Sequence, residues 1–149
     1  MATRNNLYPI FLKLQRLNVL IVGGGSVGLE KLSFLLKSSP DARVTLVAKE
    51  IAPAIRNLAL HSPEAEVILR QKPFEAADLQ GHDLVIAATN DRRLNERVRR
   101  EAKRQGLLVN VADTPDLCDF YLGAIVTKGH LKVAISTNGQ SPTFAKRFR

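Results

Sequence analysis

The sequence predicts an α/β fold with a doubly wound parallel sheet, and three observations carry that reading. Strand-length apolar runs alternate with amphipathic helical stretches through most of the chain. Leu84-Val85-Ile86-Ala87-Ala88 is apolar without interruption, as a central parallel strand covered on both faces must be. Finally, Val19–Val22 runs directly into Gly23-Gly24-Gly25-Ser26-Val27-Gly28, a Gly-x-Gly-x-x-Gly turn that opens a helix. Gly23 permits the tight turn, Gly25 removes a side chain that would block a pyrophosphate, and Gly28 lets the helix lie close to its strand. Free N–H groups at the helix start, with the positive end of its dipole, then face the phosphates. Together these define a Rossmann-type sheet.

Each element follows from local chemistry. Val19–Val22 is strand one, and Ser26–Ser38 is a helix with Val27, Leu32, Leu35 and Leu36 on its apolar face, ending before Pro40-Asp41. Arg43–Val47 reads as strand two, followed by a helical piece near Ile51–Leu60 and a short third strand, Glu66–Arg70. Thr89, Asn90 and Asp91 supply N-cap chemistry for a helix over Arg92–Gln105, which Gly106 stops before strand five, Leu107–Val111. Right-handed βαβ units stacked this way wind the sheet.

After Asn110 the rhythm changes. Ala112–Phe120 is a turn-rich, acid-bearing loop, and Gly123–Thr127 with Leu131–Ser136 reads as an antiparallel hairpin. Ser141-Pro142 is a good helix start, yet only seven residues follow that proline. The expectation is a dinucleotide-binding domain over residues 1–112. Residues 113–149 would carry the hairpin and the truncated start of a helical dimerisation region.

The chain of 149 residues is 45% hydrophobic, enough for a packed core. Its apolar runs fall well short of the roughly 20 residues that span a bilayer, and no signal segment opens it. One cysteine, Cys118, excludes an intramolecular disulfide and suits a reducing cytoplasm. The formal charge of +8 favours an anionic partner. Many of these cations (Arg92, Arg93, Arg97, Arg99, Arg100, Lys103, Arg104) lie on one helix and read as a solvated outer face. Aromatics are only 5% and do not alternate with basic residues, so nothing supports an RNA-stacking surface.

Ligands of open α/β sheets bind beyond the carboxyl ends of the strands. Here the loops in question are Gly23–Gly28, Ala48–Glu50, Thr89–Asp91 and Asn110–Asp113, which makes Thr89 and Asn110 cofactor-contact candidates. Asp113 follows strand five directly; on spacing alone it reads either as an acid/base group or as an Asx-turn residue. The acid that usually ends strand two is absent, Ala48 standing there. Glu50 would hold ribose hydroxyls from two residues on, while Lys49 would tolerate a 2′-phosphate, and of NAD and NADP the reading favours NAD. Metal ligands are not expected, because His61, His82 and His130 lack ligand spacing. Cys118, beside Leu117 and without a CxxC partner, reads as a half-buried structural thiol.

Laid out whole, the chain resembles the precorrin-2 dehydrogenase module of sirohaem synthases. The resemblance is carried by Tyr8-Pro9-Ile10-Phe11-Leu12, Val22–Val27 with Lys31, Ala87-Ala88-Thr89-Asn90, Val109–Asp113, Cys118-Asp119-Phe120 and Val133–Pro142. It implies oxidation of precorrin-2 to sirohydrochlorin with NAD as hydride acceptor, and in some members insertion of ferrous iron by the same protein. The family's key aspartate falls on Asp113, with proton transfer as its implied role. Its dinucleotide contacts fall on Ser26 and Val27, and on Lys49 and Glu50. A homodimer is implied for the full-length protein. Precorrin-2 carries a ring of carboxylates, so Lys128, His130 and Lys132 are candidate substrate contacts, with Ser136 and Thr137 beside them. Some members have a second serine where this chain has Thr137.

Two competing readings share the glycine turn. A dinucleotide-sensing regulatory domain would not need the Asn110–Asp113 loop, the hairpin or the Ser136–Pro142 motif. A glutamyl-tRNA reductase-like enzyme would need a nucleophilic cysteine, for which Cys118 is poorly placed.

Overall fold

The computed structural model describes residues 4–138. The helix expected from Ser141 onward therefore lies outside the described residues. The chain divides into two compact units. One is Lys13–Phe120; the other joins the chain before Lys13 to the chain after Phe120. This division keeps residues 113–120 with the sheet, whereas the sequence reading begins the second region at 113.

Lys13–Phe120 contains a parallel sheet of five strands in the order β3-β2-β1-β4-β5. The strands are β1 (Asn18–Val22), β2 (Arg43–Ala48), β3 (Glu66–Gln71), β4 (Leu84–Ala87) and β5 (Leu108–Val111). Helices α1 (Ser26–Ser38) and α2 (Pro53–Leu60) cover one face; α3 (Arg92–Arg104) and a 3-10 turn, Ala76–Leu79, cover the other. Side-chain alternation divides the core accordingly. Ile21, Val44, Leu46 and Ile86 meet Leu32, Leu36 and Ile55, while Leu20, Val22, Val85 and Val109 meet Leu79, Val98 and Ala102. The pairings Val22↔Ala87 and Ala87↔Val111 bring the carboxyl ends of β1, β4 and β5 to one level.

Helix ends obey their sequence signals, with small corrections. Asp91 caps α3, its Oδ1 accepting the amides of Arg93 and Leu94 at 3.0 and 3.3 Å; such a cap contributes about 1 kcal/mol. At the other end the Leu107 amide donates to Ala102 and the Gly106 amide to Lys103, with Gly106 at φ +76. That pattern is a Schellman stop, and it takes Leu107 out of the strand expected there. Helix α2 starts at Pro53 rather than Ile51, because the residue before a proline is pushed out of the helical region; Ala52 sits at φ −58, ψ 140.

In the other unit, β6 (Ala124–Lys128) and β7 (Leu131–Ile135) form the antiparallel hairpin, with Gly129 at φ +57 in its turn. The Asn5 amide nitrogen donates to the Ser136 carbonyl at 3.3 Å.

Candidate functional site

In this strand order the winding of the sheet switches sides between the parallel strands β1 and β4, and a crevice opens beyond their carboxyl ends. It is a cavity of about 740 Å³ whose walls include the glycine turn, Lys49 and Glu50 after β2, Thr89 after β4, and Phe74 and Arg97. That volume lies within the usual range for cofactor sites.

The glycines divide into two kinds. A Cβ on Gly23 would collide with the Ala88 carbonyl, and one on Gly28 with the Gly23 carbonyl. Gly24, which the fingerprint treats as variable, is equally closed, since a Cβ there would strike the Glu50 carbonyl. The turn is pinned by Gly23 N–H donating to Val47 at 3.0 Å and Ala52 N–H donating to Gly24 at 2.8 Å. Gly25 is different: nothing lies within 4 Å of a Cβ built on it. Beside that open space α1 begins with no side-chain cap, leaving the amides of Ser26, Val27 and Gly28 without an acceptor among the described residues. Uncapped amides at a helix start next to vacant space fit a pyrophosphate.

The cavity thus gathers Gly23, Gly25, Ser26, Val27, Lys49, Glu50 and Thr89 from the sequence-derived candidates. Gly28 shapes the turn from behind. Thr89 commits its hydroxyl proton to Asn95 Oδ1 at 2.6 Å, and the buried Asn95 returns a bond to the Thr89 carbonyl at 3.0 Å. Asn110 does not line the cavity; it is buried, and its amide donates to the Phe120 carbonyl at 2.9 Å.

Phe74 has no role in the sequence reading, and Arg97, expected on a solvated outer face, instead walls the crevice. The Arg97 guanidinium lies 5.4 Å from the Phe74 ring centre, a cation–π contact. Lys72 holds the Pro73-Phe74 loop through Asp78, at 2.6 Å, and this partner raises the Lys72 ammonium above its ordinary pKa. The spacing from Leu94 to Arg97 places Arg97 beside the buried stripe of α3, the one local signal for it. The basic face of α3 is also less bare than expected, since Arg99 donates to the Leu117 carbonyl and Lys103 pairs with Asp119 at 2.7 Å.

Asp113 stands on the same carboxyl edge, just past β5, two strands from β1 or about 10 Å at ordinary strand spacing. It is exposed, adopts φ +58, and its carboxylate has no partner among the described residues. Aspartate tolerates this left-handed region better than most residues, at about 1 kcal/mol. Cys118 is half-buried, and desolvation raises its thiol pKa, so it remains S–H at neutral pH.

In the hairpin unit, Lys128 and His130 are exposed at the tip, Ser136 and Thr137 follow β7, and Lys132 is half-buried. Lys132 pairs with Thr127 and Lys128 with Leu131, so the two lysines leave opposite faces of the ribbon. Among the described residues no group of three His, Cys, Asp or Glu side chains could hold a metal ion. No helix there is long and apolar enough to cross a membrane.

A parallel sheet with an open glycine turn at its reversal point defines a nicotinamide-dinucleotide-binding protein. Residues 10–124 match the family model described as "Putative NAD(P)-binding", and the chain belongs to that family. Residues 128–149 match a second model, "Sirohaem biosynthesis protein central". Siroheme synthase of Methylococcus capsulatus is 47% identical over 141 residues, covering 95% of this chain and 29% of the relative. The siroheme synthase of Ectopseudomonas mendocina is 43% identical over the same length. The chain thus spans about 30% of the length of the curated relatives it matches. Among solved structures, SirC, a precorrin-2 dehydrogenase, superposes with TM-score 0.76 at 29% identity, covering 95% of this chain and 67% of that one. These findings bear out the resemblance read from the sequence motifs.

Proposed function

We propose that this chain oxidises precorrin-2 to sirohydrochlorin with NAD as acceptor. One observation carries the reading: an unpartnered carboxylate, Asp113, shares the carboxyl edge of the sheet with an open, uncapped phosphate cradle. When bound, NAD supplies the hydride acceptor. Ser26 and Val27 hold its pyrophosphate through their amides, Lys49 and Glu50 border its ribose, and Thr89 walls the crevice. The substrate loses two electrons and one proton as a hydride and a second proton to a base, and Asp113 takes that second proton. In ferrochelation, the second activity we assign, ferrous iron is the substrate and Asp113 receives pyrrole protons as the metal enters. The protein acts as a cytoplasmic homodimer.

The net charge of +8 suits a polycarboxylate substrate. Lys128, His130 and Lys132 are its carboxylate partners, with Ser136 and Thr137 as further contacts. Because the two lysines emerge on opposite faces of the hairpin, they meet different carboxylates. Replacing Lys128 and Lys132 together with alanine is expected to weaken tetrapyrrole binding about tenfold or more and to leave NAD binding unchanged. Equal tetrapyrrole affinity in parent and variant would remove them from the site.

The test of the function is direct. Protein, precorrin-2 and NAD are mixed and the sirohydrochlorin absorbance is followed; ferrous or cobaltous ion added to sirohydrochlorin then reports chelation separately. A protein that binds NAD and forms no sirohydrochlorin would fit the sensing-domain reading instead.

A further inference from the structure

Strand β5 is the last strand on its side of the sheet, so the outward amides of Val109 and Val111 have no neighbouring strand to receive them. The chain leaves β5 at Val111, turns through Asp113, and returns along this same edge after the 3-10 turn Pro115–Leu117. On its return it pairs with β5 through one main-chain bond and through side chains. Asp119 Oδ2 accepts the Val109 amide at 3.0 Å, and the Asp119 amide donates to the Val109 carbonyl at 2.7 Å. Cys118 Sγ accepts the Val111 amide at 3.1 Å and lies within donating reach of the Val111 and Thr114 carbonyls, at 3.2 and 3.4 Å. Asn110 adds the bond to Phe120, while Arg99 and Lys103 on α3 hold Leu117 and Asp119 from outside.

We propose that Cys118 and Asp119 are positioning residues, and that the side-chain rungs they make on β5 hold the Asp113 turn in its left-handed conformation. The sulfur grips Val111 and Thr114, the residues that bracket Ala112 and Asp113, so the turn is fixed at both ends. Asp119 is anchored to the sheet edge, because one of its oxygens accepts both from the Val109 amide and from Lys103 Nζ. The thiol suits its place because it is small, stays protonated and can both give and receive. The inference rests on Asp113 acting in the reaction proposed above.

The experiment uses the full chain with NAD and precorrin-2. Cys118→Ala removes the sulfur rung and is expected to lower kcat about ten- to a hundredfold, as a reacting group displaced by about 1 Å would. The NAD dissociation constant and the KM for precorrin-2 should stay within about twofold, and Cys118→Ser, which keeps a donor and an acceptor, should recover most of the loss. Hydrogen exchange supplies a readout without turnover: the Val111 amide should exchange faster in Cys118→Ala and return toward the parent rate in Cys118→Ser. If Cys118→Ala does not fold, Asp119→Asn carries the test, with kcat reduced at unchanged NAD affinity and the Val109 amide less protected. Parent-like turnover in folded Cys118→Ala, while Asp113→Asn is inactive, overturns the positioning role alone. Parent-like turnover in Asp113→Asn overturns the functional reading and the positioning role with it.

Discussion

Gly25→Ala keeps the parent fold and loses NAD affinity by about tenfold or more, as expected when a side chain enters the space reserved for a pyrophosphate. Its backbone, φ −97, suits alanine, and no atom lies within 4 Å of the added Cβ. The stability cost is that of a poorer N-cap, about 0.5–1 kcal/mol. Gly23→Ala should behave in the opposite way. There φ is +139 and the new Cβ would drive into the Ala88 carbonyl, so β4 must give way to admit it. A loss of about 3 kcal/mol or more is expected, and much of the protein would fail to fold. Thermal melts paired with NAD titrations distinguish the two glycines. Parent-like NAD binding by Gly25→Ala would show that no dinucleotide phosphate lies there.

Asp113→Asn is the second large effect. Asparagine also tolerates φ near +58, so the turn and the melting temperature should change little. What disappears is a proton acceptor, with an expected loss of about 10²- to 10⁴-fold in the rate of sirohydrochlorin formation. NAD binding should be unaffected, because the aspartate does not line the crevice. Asp113→Gly is a useful companion, since it relieves the backbone conformation while also removing the carboxylate. If both variants are inactive and at least as stable as the parent, chemistry is separated from folding. Full activity in the asparagine variant would mean that another group takes the proton.

Much of this architecture is legible in the sequence, and the reasons are local. Helix α1 runs Ser26–Ser38 as its spacing requires, because the glycine turn and the Pro40 turn leave it no other bounds. The apolar run of β4 gave its central place, and the Asp91 cap was visible as a type of residue at a type of position. The features missed are those made by residues distant in sequence. Phe74 and Arg97 come together only once the 3-10 turn packs on α3, and no periodicity links positions 23 apart. The closure around Gly24 depends on the path of β2 into Lys49-Glu50. Asn110 is a cofactor-contact candidate in the sequence because it lies near the carboxyl end of β5, whereas its side-chain amide donates to the Phe120 carbonyl. The sequence marks Cys118 as a structural thiol, but what it holds emerges only when the chain doubles back on β5.

The side-chain rungs along β5 also bear on how copies of this sheet can associate. An edge already occupied offers no template to a foreign strand, so among the described residues strand addition to the sheet is confined to β3. There the exposed Glu66 and Arg70 put charge in the way of an incoming chain. A protein built like this guards one border of its sheet with its own backtracking loop and the other with ionised side chains.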